Sequence, residues 1–285
     1  MIYLILATIC SASIVLLFKI SNSNRYVVSM MNYVIASCIA IYFIVTKNTL
    51  GVFEFSSDHS EIGGKFVISI GILTGIFFLL SFIFYQKSVY ESGASLASMF
   101  GKLGILLPMI FSIVIWREYP TLFQWGGIFL ALLAIIMVNI HPKVEQMSKR
   151  RMSYTLLLLF IFGGFGDFFN KIFQKYAPIT LKPVFLLFVF GTAFMLSFTI
   201  ILIQKIQVKK EALLIGAMVG VPNYFASFFL IEALRYKSAT VVFPAYSAGS
   251  ILIVIVVSRI FFGETLEKKD KIAVLITVLS LYLIQ

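Results

Sequence analysis

Apolar blocks of about 20 residues, divided by short polar or Gly/Pro-bearing breaks, run the whole length of this chain. Read between breaks, they fall at roughly 2–20, 26–46, 66–86, 94–116, 122–140, 154–172, 184–203, 212–234, 239–262 and 272–285. At a rise of 1.5 Å per residue, about 20 apolar residues cross the hydrocarbon of a bilayer as an α-helix. Lipid offers the backbone no hydrogen-bond partner, so each block is predicted to be a helix that satisfies itself. The pattern therefore predicts an all-α, polytopic membrane protein of ten transmembrane helices. The longest break, "KNTLGVFEFSSDHSEIGGK" at 47–65, is polar. Its "DHSE" holds a single histidine, His59, and reads as solvated loop rather than a metal site.

Composition sharpens this picture. Of 285 residues 60% are hydrophobic and 12% charged, against about a quarter charged in a soluble domain. The net charge of +11 does not point to nucleic acid, because the lysines and arginines sit mostly in short loops, where they anchor topology and touch anionic headgroups. Counted by side, 14 of the 23 lie at the exits of odd-numbered helices and 8 at the other side; the positive-inside rule would then leave both termini outside. Cys10 and Cys38 lie within apolar blocks and frame no disulfide scaffold. The first block lacks a basic leader, and Ile9 before Cys10 does not suit lipoprotein cleavage, so it reads as a retained helix.

The blocks repeat. "SIVIWREYP" (112–120) and "SRIFFGETL" (258–266) share a serine and a glutamate at a constant offset of 146, and residues 81–139 superpose on 227–285 without a gap. Ser81 meets Ser227, Tyr90 meets Tyr236, and "LFKI" ending at Ile20 faces "FNKI" ending at Ile172. The chain thus divides into a first five-helix repeat, 1–140, a connecting loop, 141–153, and a second five-helix repeat, 154–285. Five is odd, so the second copy is expected to enter from the opposite face, the inverted layout of carriers that alternate a site between two sides.

The two junctions ending in Glu118 and Glu264, the helix "WGGIFLALLAIIMVNI" after the first, and the helix ends at Lys19 and Lys171 resemble the EamA-type transporters of the drug/metabolite transporter superfamily. The resemblance spans nearly the whole chain. It implies transport of metabolites or amino-acid-like solutes, export over uptake, and both termini in the cytoplasm, which opposes the charge count. Some superfamily members handle lipid-linked sugars, so a flippase is the alternative; a non-transporting scaffold is another.

Charges and breaks inside the blocks suggest where a solute would sit. Lys102 lies well inside the fourth block, where a lysine costs roughly 2.5–3.5 kcal/mol on the insertion scale. Ser95, Ser98 and Lys102 share a helical face, with Gly101, Gly104 and Pro108 able to loosen the helix. The counterpart in the ninth block, Ala248, stands beside Pro244, Tyr246 and Ser247. In the sixth block Asp167, Asn170, Lys171 and Gln174 share a face; Asp167 is either paired along its helix or a titratable carboxylate. In the eighth, Asn223 stands beside Pro222, while Glu232 and Arg235 read as an interfacial pair. The cavity-lining candidates are therefore Ser98, Lys102, Asp167, Asn170, Asn223, Tyr246 and Ser247.

Glu118 and Glu264 read as structural, each a carboxylate stabilised by the dipole of the helix that follows. Gly71/Gly75 and Gly216/Gly220 read as close-packing faces. With histidine at 59 and 141 alone and no nucleophile, metal or phosphate-loop motif, neither an enzyme nor a cofactor is expected. The expected partners are a small-molecule solute, the lipid bilayer and protons as a coupling ion, with no nucleic acid, in a monomer or homodimer.

Overall fold

Helix follows every apolar block. The computed structural model describes residues 1–20, 23–47, 63–92, 94–139, 154–262 and 268–284. The "DHSE" loop, the connecting loop 141–153 and the second junction with Glu264 lie outside these. In chain order the helices are α1 (Ile2–Ile20), α2 (Arg25–Thr46), α3 (Gly64–Ser92), α4 (Ala94–Leu103), α5 (Leu106–Trp116), α6 (Leu122–Asn139) and α7 (Tyr154–Tyr176). A 3₁₀ turn (Ile179–Leu181) leads into α8 (Lys182–Ile203), followed by α9 (Lys210–Tyr236), α10 (Ala239–Phe262) and α11 (Lys268–Ile284). Eight spans are long and apolar enough to cross a membrane, with α4 and α5 together forming one of them, Leu96–Trp116. Helix α6 adds a shorter apolar stretch, Leu122–Val138, and α11, of 17 residues, opens on Lys268-Lys269-Asp270-Lys271. No strand occurs among the described residues.

One difference from the sequence reading, and one feature that it anticipated, have local causes. The third helix runs on past 86 to Ser92. Its polar end is satisfied by the start of α7: Lys87 donates to the Tyr154 hydroxyl at 2.7 Å, and the Thr155 hydroxyl donates to Glu91 at 3.0 Å. The fourth block is broken at Gly104–Ile105. Pro108 has no N–H to return to the Gly104 carbonyl, which instead accepts a tighter bond from Leu107 N–H at 3.0 Å. Pro222 and Pro244 cause no such break, and α9 and α10 run unbroken through them.

The chain packs as two units, each drawing on both halves of the sequence. The first holds residues 1–79 and 169–235. Here α2 lies along α8, with Tyr33 stacked near Phe190 (6.3 Å) and Phe43 near Tyr224 (5.8 Å). The glycine pairs do what their spacing predicts. A Cβ on Gly71 would strike Phe185 and Phe188 of α8, and one on Gly216 or Gly220 would strike the backbone of α2 at Val28 or Asn32. Small residues thus let these helices approach to backbone contact.

The second unit holds residues 80–168 and 236–285. Here α6 packs along α11, and the Ser280 hydroxyl donates to the Gly127 carbonyl at 2.8 Å. The first of the two similar helix endings is a cap. Arg117 turns left-handed at φ 55°, and its N–H and that of Glu118 both return to the Ser112 carbonyl. At the offset of 146 its counterpart is Gly263, a residue for which such a φ is free of strain. Pro120 precedes the first turn of α6 instead of joining it; Thr121 and Gln124 cap that helix reciprocally at 3.0 and 3.3 Å. Glu118 reaches beyond the junction. Its carboxylate accepts the N–H of Ala239, at the start of α10, at 2.7 Å.

Candidate functional site

In the second unit the polar residues of the broken span meet α10. Lys102 occupies the last turn of α4, just before the break at Gly104. Its ammonium donates to the Ser250 hydroxyl at 3.0 Å. That hydroxyl sends its own proton to the Ser247 carbonyl at 2.9 Å, so its lone pairs are left to face the lysine. An ammonium carries three N–H groups, and among the described residues Ser250 is the hydrogen-bond partner assigned to it. Asp167 of α7 lies near enough for its charge and that of Lys102 to act on each other. Yet no ion pair closes between them among the described residues. A cation in the apolar zone is thus bonded to a neutral hydroxyl while its counter-charge stands off.

The setting explains how such a cation can be held. Gly104 and Gly164 bring α4 and α7 to backbone contact, and the break at Gly104–Ile105 frees main-chain groups that a regular helix would consume. Ser98, one turn before Lys102, is half-buried, as is Tyr246 on α10. Ser247 is fully buried and its hydroxyl has no hydrogen-bond partner. Five of the seven candidates, Ser98, Lys102, Asp167, Tyr246 and Ser247, therefore belong to this unit. Asn170 and Asn223 belong to the other.

In the first unit those two differ. Asn223 donates from Nδ2 to Oδ1 of Asn32 at 3.0 Å, which ties α9 to α2. Asn170 is 1% exposed, and neither its Nδ2 nor its Oδ1 has a partner. Gln174 Oε1, one turn on, is likewise buried and unsatisfied. Such groups cost about 1–3 kcal/mol each when left dry, and in native structures a bound water is one of their usual partners. The pair expected between Glu232 and Arg235 is present at 3.0 Å. Sequence reasoning missed the second cation on that carboxylate, Lys182, which is 3% exposed. It stands 50 residues away and was counted with the loop charges; Pro183 after it, marking a helix start, was the available signal.

With this geometry in place, relatives can be compared. The EamA-like transporter family matches residues 1–140 and again 151–285. The chain belongs to the EamA-like transporter family, within the drug/metabolite transporter superfamily. It is thus a multi-pass membrane transporter, of a kind usually found in the cell membrane. An uncharacterized protein of Haemophilus influenzae is 22% identical over 285 residues, covering 98% of this chain and 96% of that one. A protein crystal structure matches with a TM-score of 0.75 at 12% identity, over 99% of this chain and 94% of the other. At that identity the likeness speaks for the fold.

Proposed function

We propose that this transporter is a secondary carrier of small organic solutes, metabolite- or amino-acid-like, that works by alternating access between two inverted five-helix repeats and favours export. The Lys102 ammonium carries the reading. It sits at a broken membrane helix, is held by one neutral hydroxyl, and keeps donors for an anionic group on a solute. Asp167, held off from the lysine, suits a proton that exchanges with the bound solute. The internal duplication at an offset of 146 supports the inverted layout. The unsatisfied Ser247 hydroxyl and Asn170 amide weigh against a scaffold, in which buried polar groups would be paired off.

The test starts from a thermal-shift screen of the purified chain against amino acids, polyamines, sugars and nucleotides. The stabilising compound is then radiolabelled and followed into proteoliposomes. Lys102→Ala is expected to lower transport by roughly ten- to a hundredfold, the value of one or more hydrogen bonds to a charged group. A Lys102→Ala protein that transports at the wild-type rate removes the assignment. Transport that ignores an imposed pH gradient removes the role of Asp167.

A further inference from the structure

A second polar site lies in the first unit, apart from Lys102. The C-terminal end of α2, the N-terminal end of α8 and the last turns of α9 enclose a cavity of about 320 Å³. Lys47, Thr180, Lys182 and Glu232 line it, with Phe228, Ile179 and Pro183 as its apolar wall. Lys182 is buried, pairs with Glu232, and lies 3.3 Å from the Phe228 ring centre. Lys47 is exposed and reaches over the same ring at 6.0 Å.

The charges around this cavity do not balance. Glu232 gives one oxygen to Lys182 and the other to Arg235, so a single negative charge serves two cations. Lys47 adds a third positive charge, close enough that it and Lys182 repel. Among the described residues that line the cavity the excess is one positive charge, Lys47 and Lys182 less Glu232. Like charges held beside one hollow are relieved by a bound anion. The start of α8 adds its positive dipole end, and the Thr180 hydroxyl adds a donor. A phosphate, with three strong acceptor oxygens, can engage the Lys47 and Lys182 ammoniums and the Thr180 hydroxyl together, where a carboxylate has two. The volume, at the low end of small-molecule sites of about 300–1,000 Å³, leaves room for a few carbons against Phe228.

We propose that this cavity binds a phosphate group, borne by a small soluble ester or by a lipid headgroup, between Lys47, Thr180 and Lys182.

The full chain in dodecyl maltoside would be titrated with inorganic phosphate and with glycerol 3-phosphate, against sodium chloride of equal ionic strength, reading thermal shift. In parallel, protein recovered from phosphatidylcholine vesicles, with or without phosphatidylglycerol, would be weighed by native mass spectrometry. Lys182→Met takes a buried cation from Glu232 and can fail to fold, so the decisive variants are Lys47→Gln, at an exposed position, and Glu232→Gln. Lys47→Gln is expected to weaken phosphate binding roughly tenfold, while Glu232→Gln tightens it by removing the competing acid. Lys102→Ala should bind as the wild type does, which separates this site from the transport site. Retention of phosphatidylglycerol by the wild type and its loss in Lys47→Gln, without a soluble-phosphate response, assigns the headgroup as the source. No response of the wild type to either soluble probe and no retained phosphatidylglycerol overturns the proposal. Equal binding by Lys47→Gln and wild type overturns it too.

Discussion

Glu118 offers a clean separation of structure from transport. Its carboxylate accepts the Ala239 N–H at 2.7 Å, at the short end of the range for ionised acceptors. That N–H is one of the four at the start of α10 with no partner inside the helix. A hydrogen bond to a charged group contributes about 1.5–3 kcal/mol, a figure that already contains most of the helix-dipole attraction. Glu118→Gln keeps an acceptor and loses the charge, so it should cost about 1 kcal/mol. Glu118→Ala loses both and leaves the N–H to find water, for about 2–3 kcal/mol. Trp116 and Trp125, the two tryptophans of the chain, flank the junction, so their fluorescence reports unfolding in an SDS titration of mixed micelles. The expected order of stability is wild type, then Gln, then Ala, with transport per folded molecule unchanged. A Gln variant as stable as wild type but deficient in transport would refute the capping role and make Glu118 part of the machinery.

Three further outcomes follow from the packing. Asn32→Ala and Asn223→Ala, combined in a double-mutant cycle, should show a coupling of about 0.6–1.7 kcal/mol, as for hydrogen bonds between membrane helices; a coupling of zero would mean that the bond at 3.0 Å adds nothing. Adjacent glycines should part company: a Cβ on Gly126 meets nothing within 4 Å, whereas one on Gly127 meets Ile284 and the Ser280 carbonyl. Gly126→Ala should thus leave stability level or raise it by up to about 1 kcal/mol, and Gly127→Ala should lower it by about 1–3 kcal/mol, measured by the same titration. Lys182→Met should destabilise by about 1.5–3 kcal/mol, because Glu232 loses one of its two cations and keeps Arg235, and the double variant Lys182→Met/Glu232→Met should recover part of that loss; a double variant as poor as the single would argue against the ion pair.

Helix positions were legible because lipid forces every span to be long, apolar and internally hydrogen-bonded, so that block length alone marks them. The break in the fourth block was legible from Gly104 and Pro108, since the missing N–H of a proline acts within one turn. Contacts made at long range were not. Nothing local in "REYP" says that Glu118 caps a helix 121 residues away. Lys102 was legible as a cation in the wrong solvent, while its acceptor Ser250 was not, because α4 and α10 are 148 residues apart at that contact. Lys182 was lost among the basic loop residues for the same reason. The end of α3 was set too early because Lys87 and Glu91 look like a loop until Tyr154 and Thr155 are placed beside them.

The interleaving of the two units bears on how the chain is made. When the ribosome has delivered residues 1–140, neither unit is complete, because the first still lacks 169–235 and the second lacks 141–168 and 236–285. Until α8 and α9 emerge, the faces of α2 and α3 meant for Phe185 and for Gly216 and Gly220 have nothing of their own chain to close on. The newborn half must wait in the bilayer, shielded by lipid or by an insertion chaperone, and a gene cut between the repeats would yield two fragments that mature only when synthesised together.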